Sequence, residues 1–443
     1  MDRHRPQPLH LTRRAAVGAL AAGAAAAVHR PAHGREITLR WWSPQAAPAQ
    51  VRAYRAQIAA FEAANPGFRV VFETTSDEGY AAQLAAAFSS GEVPDLVTHL
   101  PSFAAQSYYA NGLLEPFGDV IDAIGADDFY PGANAPFRAA DGQYVGTGVG
   151  NSAVNILWIR KDLMARAGVE RIPETWDGLR DALRAMQGRG IYGAPYPYGR
   201  NSMTSLIFTG FIHQAGGQVF TPDLEVAIDS EATRHALEFY RELRDYCPRG
   251  ATNYSWGQSL MAFVSGATAT GIYTGRVLSS VRDQNPPLAG KVTCGVFPRI
   301  DRQTPPWTFN DFPSVFIPSQ SRHKQAAKRL AVSLFQPPGY VEQLHAAPGH
   351  VLPVLRSINE SRAYRQNDLI EQYAAEVDLM ARAAAAGKNL GYESAAHKPN
   401  VKAGEVIASN VIADLVQRVI LNRENVDAAI GRTARAMEGI MAS

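Results

Sequence analysis

Only two cysteines, Cys247 and Cys294, occur in 443 residues. They are too few for a four-thiolate zinc site, and no closely spaced pair opens a zinc-finger motif. Either one disulfide or two separate buried thiols fits that count. Beyond the N-terminus no run of about 18 strongly apolar residues occurs, so no membrane-spanning helix is expected in the body of the chain. Charge of neither sign is in surplus: 43 Lys+Arg face 41 Asp+Glu, a net +2. Removing residues 1–34, which hold five arginines and one aspartate, turns +2 into −2. That balance excludes the basic footprint of a general nucleic-acid binder. With 46% hydrophobic and 19% charged residues, the chain is too apolar to be disordered. Its length predicts two or three domains.

Catalytic motifs are missing as well. There is no His-Glu-x-x-His pair, no Gly-x-Ser-x-Gly elbow and no phosphate-cradling P-loop. His345 and His350 are the closest histidine pair in the body, spaced by five rather than the four of a helical zinc pair. Tyr108 and Tyr109 are of the type a ferric-ion receptor clusters, but they fall on one helix, where one packs and the other faces solvent. No metal and no cofactor are expected. Gly146-Thr-Gly148-Val-Gly150 opens like a dinucleotide fingerprint. Its third glycine would stand at Asn151, however, and the frame shifted to Gly148–Ala153 runs into an apolar strand instead of a helix. A chain crossover is the better reading. Asp77, Glu78 and Asp311 could supply a glycosidase pair only if the fold brought two of them to the right separation.

What is present begins with Thr12-Arg13-Arg14, followed by an Ala/Gly-rich stretch from Ala15 to Val28. A charged segment before a short apolar one is an export signal, and paired arginines with a weakly hydrophobic core point to the twin-arginine route. Cleavage is expected near Ala32–Gly34, with Ala25–Ala27 as a rival. No cysteine follows, so no lipid anchor is expected, and the mature protein should be periplasmic.

The body alternates strand and helix. Ile37–Trp41 reads as a strand, and Val51, Tyr54, Ile58 and Phe61 recur at helical spacing until Asn65-Pro66-Gly67 stops them. Phe68–Phe72 and Asp95–Leu100 are further strands, with helices at Tyr80–Ser90 and Phe103–Asn111. This rhythm predicts an α/β protein with parallel sheets flanked by helices. It restarts at Ala153–Ile159, with helices at 162–167, 176–187 and 230–246. Beyond Pro337 the chain is mainly helical.

Ile58-Ala-Ala-Phe61-Glu-Ala-Ala-Asn65-Pro66-Gly67 resembles the first helix and its turn in the family 1 extracellular solute-binding proteins, the maltose-binding-protein-like receptors of ABC importers. Phe88-Ser-Ser-Gly91-Glu92-Val-Pro94-Asp95, Ile159-Arg-Lys161-Asp162-Leu with Pro173-Glu-Thr175-Trp176, and Ala262-Phe263-Val-Ser-Gly266 continue the likeness in order. The resemblance implies a type II periplasmic-binding-protein fold of two lobes, each with a mainly parallel sheet, joined by hinge crossovers near 146–153, 299–307 and 336–352. It implies an N-terminal lobe of 35–147 plus 308–350 and a C-terminal lobe of 148–307 plus 351–443. It also implies a monomeric receptor without catalysis, which closes on a small solute and meets a membrane permease.

A carbohydrate cleft needs flat aromatic faces and paired hydrogen-bonding groups, placed at the carboxyl ends of strands. Trp42 and Gln45 follow the first strand, Glu78 and Tyr80 the second, and His99 the third. Asn151 lies in the first crossover, and Trp307, Asn310 and Asp311 in the second, where the family pattern is glycine-rich. In the second lobe Tyr198, Trp256, Tyr273 and Arg276 stand on loops or strand ends. Many relatives carry an aromatic residue where Arg276 stands. A same-fold receptor for a charged solute (a glycerophosphodiester, an amino-acid derivative or a polyamine) and an exported carbohydrate-active enzyme are the alternatives.

Overall fold

Alternation along Ile37–Ser43 (β1) turns Leu39 and Trp41 to one face and Arg40 and Trp42 to the other. In the computed structural model, which describes residues 36–443 except 76, 101, 131 and 395, Trp41 is fully buried. Its ring packs on Tyr54 of helix α1 (Pro48–Ala64) at 5.0 Å and on Phe72 of strand β2 (Phe68–Thr74) at 4.9 Å. Gly67 takes the positive φ of 98° that turns α1 into β2. Helix α2 (Asp77–Ser90) then leads to β3 (Leu96–Thr98), and helix α3 (Ser102–Ala110) leaves it. β1 pairs in parallel with both β2 and β3. The export-signal reading lies outside the described residues.

Two short strands, β4 (Thr147–Gly148) and the much later β10 (Ser314–Phe316), complete this sheet in the order β2-β1-β3-β10-β4. Between them the chain leaves through β5 (Ser152–Ala153) and returns through β9 (Asn310–Asp311), which pair antiparallel. This two-stranded ribbon joins the lobes. Gly150 is required beside it, because a Cβ there would stand 1.9 Å from Val351 Cγ1. The glycine run is thus a close backbone passage, not a nucleotide loop.

The second lobe holds a three-stranded sheet, β6 (Ile156–Arg160) flanked by β7 (Thr270–Tyr273) and β8 (Val292–Gly295). Both pairings are antiparallel, where a mainly parallel sheet was expected. β6 runs away from the ribbon it has just left, whereas β7 arrives back at the lobe boundary. The two must therefore oppose each other.

Two hydrophobic cores show where the chain passes between lobes. Trp158, Phe211, Tyr240 and Phe263 centre one; Trp41, Phe117, Phe316 and Tyr340 centre the other. Phe309 belongs to the second-lobe core and Phe312 to the first, so the second crossing falls at the ribbon rather than at 299–307. The third falls beyond 336–352: Val354, Ile358 and Tyr364 still pack in the first lobe, while Tyr373 and Val377 pack in the second. Cys247 and Cys294 are separate buried thiols, and burial pushes the Cys247 thiol up to about 12. Tyr108 packs on Phe88 at 5.1 Å, and Tyr109 donates to Asp141 at the surface. Among the described residues no helix is long and apolar enough to cross a membrane.

Candidate functional site between the lobes

The carboxyl ends of β1, β3 and β7 converge on one polar cluster. β1 runs into Gln45, and the next helix places Gln50 and Tyr54 one and two turns along; all three are buried. β3 ends at His99, whose backbone is left-handed at φ 67°, a conformation costing a histidine about 1–3 kcal/mol. It is held there by its N–H donating to Ser314 O at 2.8 Å and by Nε2 against Tyr54 OH at 3.2 Å. From the other lobe, β7 continues into Thr274-Gly275-Arg276. Gly275 lies so close to Gly349 that an added Cβ would stand 2.1 Å from its carbonyl oxygen. That backbone contact sets Arg276 beside His350.

Arg276 then bridges the lobes. Its Nη2 donates to Gln45 Oε1 at 2.5 Å, to Gln50 Oε1 at 3.4 Å and to His350 Nε2 at 2.9 Å. A guanidinium can only donate, so His350 Nε2 is the acceptor. Its Nδ1 therefore carries the hydrogen and donates to Thr274 Oγ1 at 2.9 Å. Burial, helped by the Arg276 charge, lowers His99 from 6.5 to about 3 and His350 well below its ordinary value. Both imidazoles are neutral. His99 Nδ1 is buried without a partner. The cluster can offer one fixed cation, two amides, a phenol and two neutral imidazoles to a polar solute.

The family model for bacterial extracellular solute-binding proteins matches residues 47–340. The chain belongs to that family. Its members are binding proteins rather than enzymes. A relative in Escherichia coli (strain K12), YcjN, provisionally named as an ABC transporter periplasmic-binding protein, is 22% identical over 390 residues, covering 87% of this chain and 88% of its own. Among solved structures, a solute-binding protein of Thermotoga lettingae TMO with α-D-tagatose superposes with a TM-score of 0.79 at 22% identity, covering 91% of this chain and all of that one. Maltose-bound MalE3 of T. maritima gives 0.78 at 21% identity, with 91% and 100% coverage. A ribitol complex from Agrobacterium radiobacter K84 gives 0.76 at 20%, with 90% and 97% coverage. The two-lobed type II fold expected from the sequence is thus the fold of this solute-binding protein.

Of the residues expected to line its cleft, Gln45, His99 and Arg276 come together. Tyr273 ends β7 three residues before Arg276, and Trp256 packs on it ring against ring at 5.7 Å and 81°. The side chain of Glu78 lies outside the described residues. Trp42 is turned away: its indole donates to Glu73, and Arg40 lies over its ring. Tyr80 spends its hydroxyl on Trp42 O and Thr98 O, tying β1 to β3. Tyr198, expected on a cleft loop, is fully buried and donates to Tyr240 O at 2.9 Å. Trp307 stacks on His213 at 4.1 Å inside the second lobe. These are corrections: Trp42, Tyr80 and Tyr198 each found an acceptor inside their own lobe, while Trp307 is held by its ring stack, with Nε1 buried and without a partner.

Asn151 and Asn310 serve the crossover. Both amides donate to Ala384 O, and Asn310 also to Gly387 O. They line a cavity of about 660 Å³ between α3 and the 381–399 segment. Ser152, next along from Asn151, turns the opposite way and donates to His350 O. Asp311 pairs with Ser152 in the ribbon, and burial raises its carboxyl to about 7. Gln50, Tyr54, Thr274 and His350 were missed. Gln50 and Tyr54 carried a signal, since both are buried positions in the first two turns of the helix that follows β1. His350 carried none, because a backbone contact with Gly275 places it.

Proposed function

We propose that this chain is the exported receptor of an ABC importer, taking a carbohydrate or similar polyhydroxylated solute between its lobes and delivering it to a membrane permease. Gln45, His99 and Arg276 would contact the solute, with Gln50, Tyr54 and His350 around them and the Trp256–Tyr273 pair as an apolar flank. The observation that carries this reading is the convergence of strand ends from both lobes on one buried polar cluster, the place where open α/β sheets take ligands. Closing the lobes around a solute there would change the surface offered to a permease. The tagatose, maltose and ribitol complexes among the structural neighbours support the ligand class. Export by the twin-arginine route, removal of residues 1–34 and action as a periplasmic monomer complete the proposal.

A thermal-shift screen of sugars and polyols tests it. A solute at 100 times its dissociation constant adds about 2.7 kcal/mol to stability, so a true ligand raises the melting temperature measurably. Shifts produced only by amines or peptides, with every sugar and polyol silent, would overturn the carbohydrate reading.

A further inference from the structure

Among the described residues, the cluster between the lobes carries an unbalanced charge. Arg276 is half-buried, and the acceptors that its Nη2 meets are the neutral Gln45, Gln50 and His350. Among the described residues it forms no ion pair, and the elements packed around it present Tyr54, His99 and Thr274, all uncharged. A guanidinium drawn out of water without a counter-charge is costly. An arriving oxyanion recovers that cost. Nε and Nη1 have no partner among the described residues, so part of the planar donor fork that suits a carboxylate stays open. His99 Nδ1, also unpartnered and buried, is a ready contact for a hydroxyl in the same cluster.

On the receptor reading above, we propose that the solute is a sugar acid: a polyhydroxylated ring or chain bearing one carboxylate, with the carboxylate on Arg276 and hydroxyls on Gln45, Gln50 and His99. One fixed positive charge balances a monoanion. A phosphate ester, at about −1.5 to −2 near neutral pH, would leave excess negative charge among two imidazoles that burial holds neutral.

Calorimetric titration of the purified protein with matched pairs decides it: gluconate against sorbitol, galacturonate against galactose, with glucose 6-phosphate as the phosphate arm. At least one acid should bind about ten- to a hundredfold tighter than its neutral partner, the range of a charge-assisted hydrogen bond. Arg276→Gln should erase that ratio, and Arg276→Lys should keep part of it, with melting curves showing that both variants fold. Equal affinity within each pair, or a ratio that survives Arg276→Gln, overturns the sugar-acid proposal and leaves the receptor reading standing. Tighter binding of glucose 6-phosphate than of either acid overturns the carboxylate. Failure of both the neutral and the acidic series to bind overturns the polyhydroxylated reading itself.

Discussion

Replacing Asp311 with Asn should stabilise this protein, and increasingly so as pH rises. Asp311 sits in the ribbon that joins the lobes, with Oδ1 buried and unpartnered. Burial raises its carboxyl from 3.8 to about 7, partly offset by the N–H groups of Ser102 and Phe312. Between those values the folded chain keeps a proton that the unfolded chain has released. Stability is therefore lost as pH rises from about 4 to about 7. Full ionisation costs about 4 kcal/mol, of which roughly 2.5 kcal/mol accrues between pH 5 and pH 8. Asn keeps the shape and the acceptor but cannot ionise. His99 and His350 act in the opposite sense: their folded values are depressed, so they remove stability as pH falls below 6.5. They are common to both proteins and cancel in the difference. Denaturant unfolding of wild type and Asp311→Asn at pH 5 and pH 8 reads that difference directly. A gap that stays constant or shrinks at pH 8 would refute the assignment of a buried, protonated carboxyl.

Two further outcomes follow from residues already placed. Gly275→Ala puts a Cβ against Gly349 O, so it should cost about 1–3 kcal/mol and weaken solute binding by displacing Arg276; an unchanged melting temperature and affinity would count against that contact. Changing Arg13 and Arg14 together to Lys should leave the precursor in the cytoplasm, and normal accumulation of the variant outside the inner membrane in cell fractionation would rule out the twin-arginine route.

The first lobe was legible in the sequence because its signals are local. Alternation in β1, helical spacing from Val51 to Phe61 and the turn at Asn65-Pro66-Gly67 each act within a few residues of one another. The second lobe's strand directions were not, since β6 pairs with strands more than a hundred residues downstream and periodicity carries no sense of pairing. The site divides the same way. Gln45, His99 and Arg276 follow strands and could be read from that position alone. Tyr198 looks like a cleft residue, yet an aromatic with one polar atom is as well served by a core containing a single acceptor. Tyr240 O supplies that acceptor to Tyr198. His350 depends on two glycines, 275 and 349, meeting backbone to backbone, and nothing in either local sequence announces the other.

The order of strands in the first sheet also fixes an order of assembly. β10 lies between β3 and β4, although more than 160 residues separate it from β4 in the chain. As the polypeptide emerges from the ribosome, β3 and β4 each present an unpaired edge until residues 314–316 have been made. The sheet of the second lobe needs nothing beyond residue 295. The lobe begun first is thus the lobe whose sheet closes last, through a pairing of high sequence separation that is intrinsically slow. For as long as it waits, the open edges at β3 and β4 are where a nascent chain of this protein is most exposed to pairing with its neighbours.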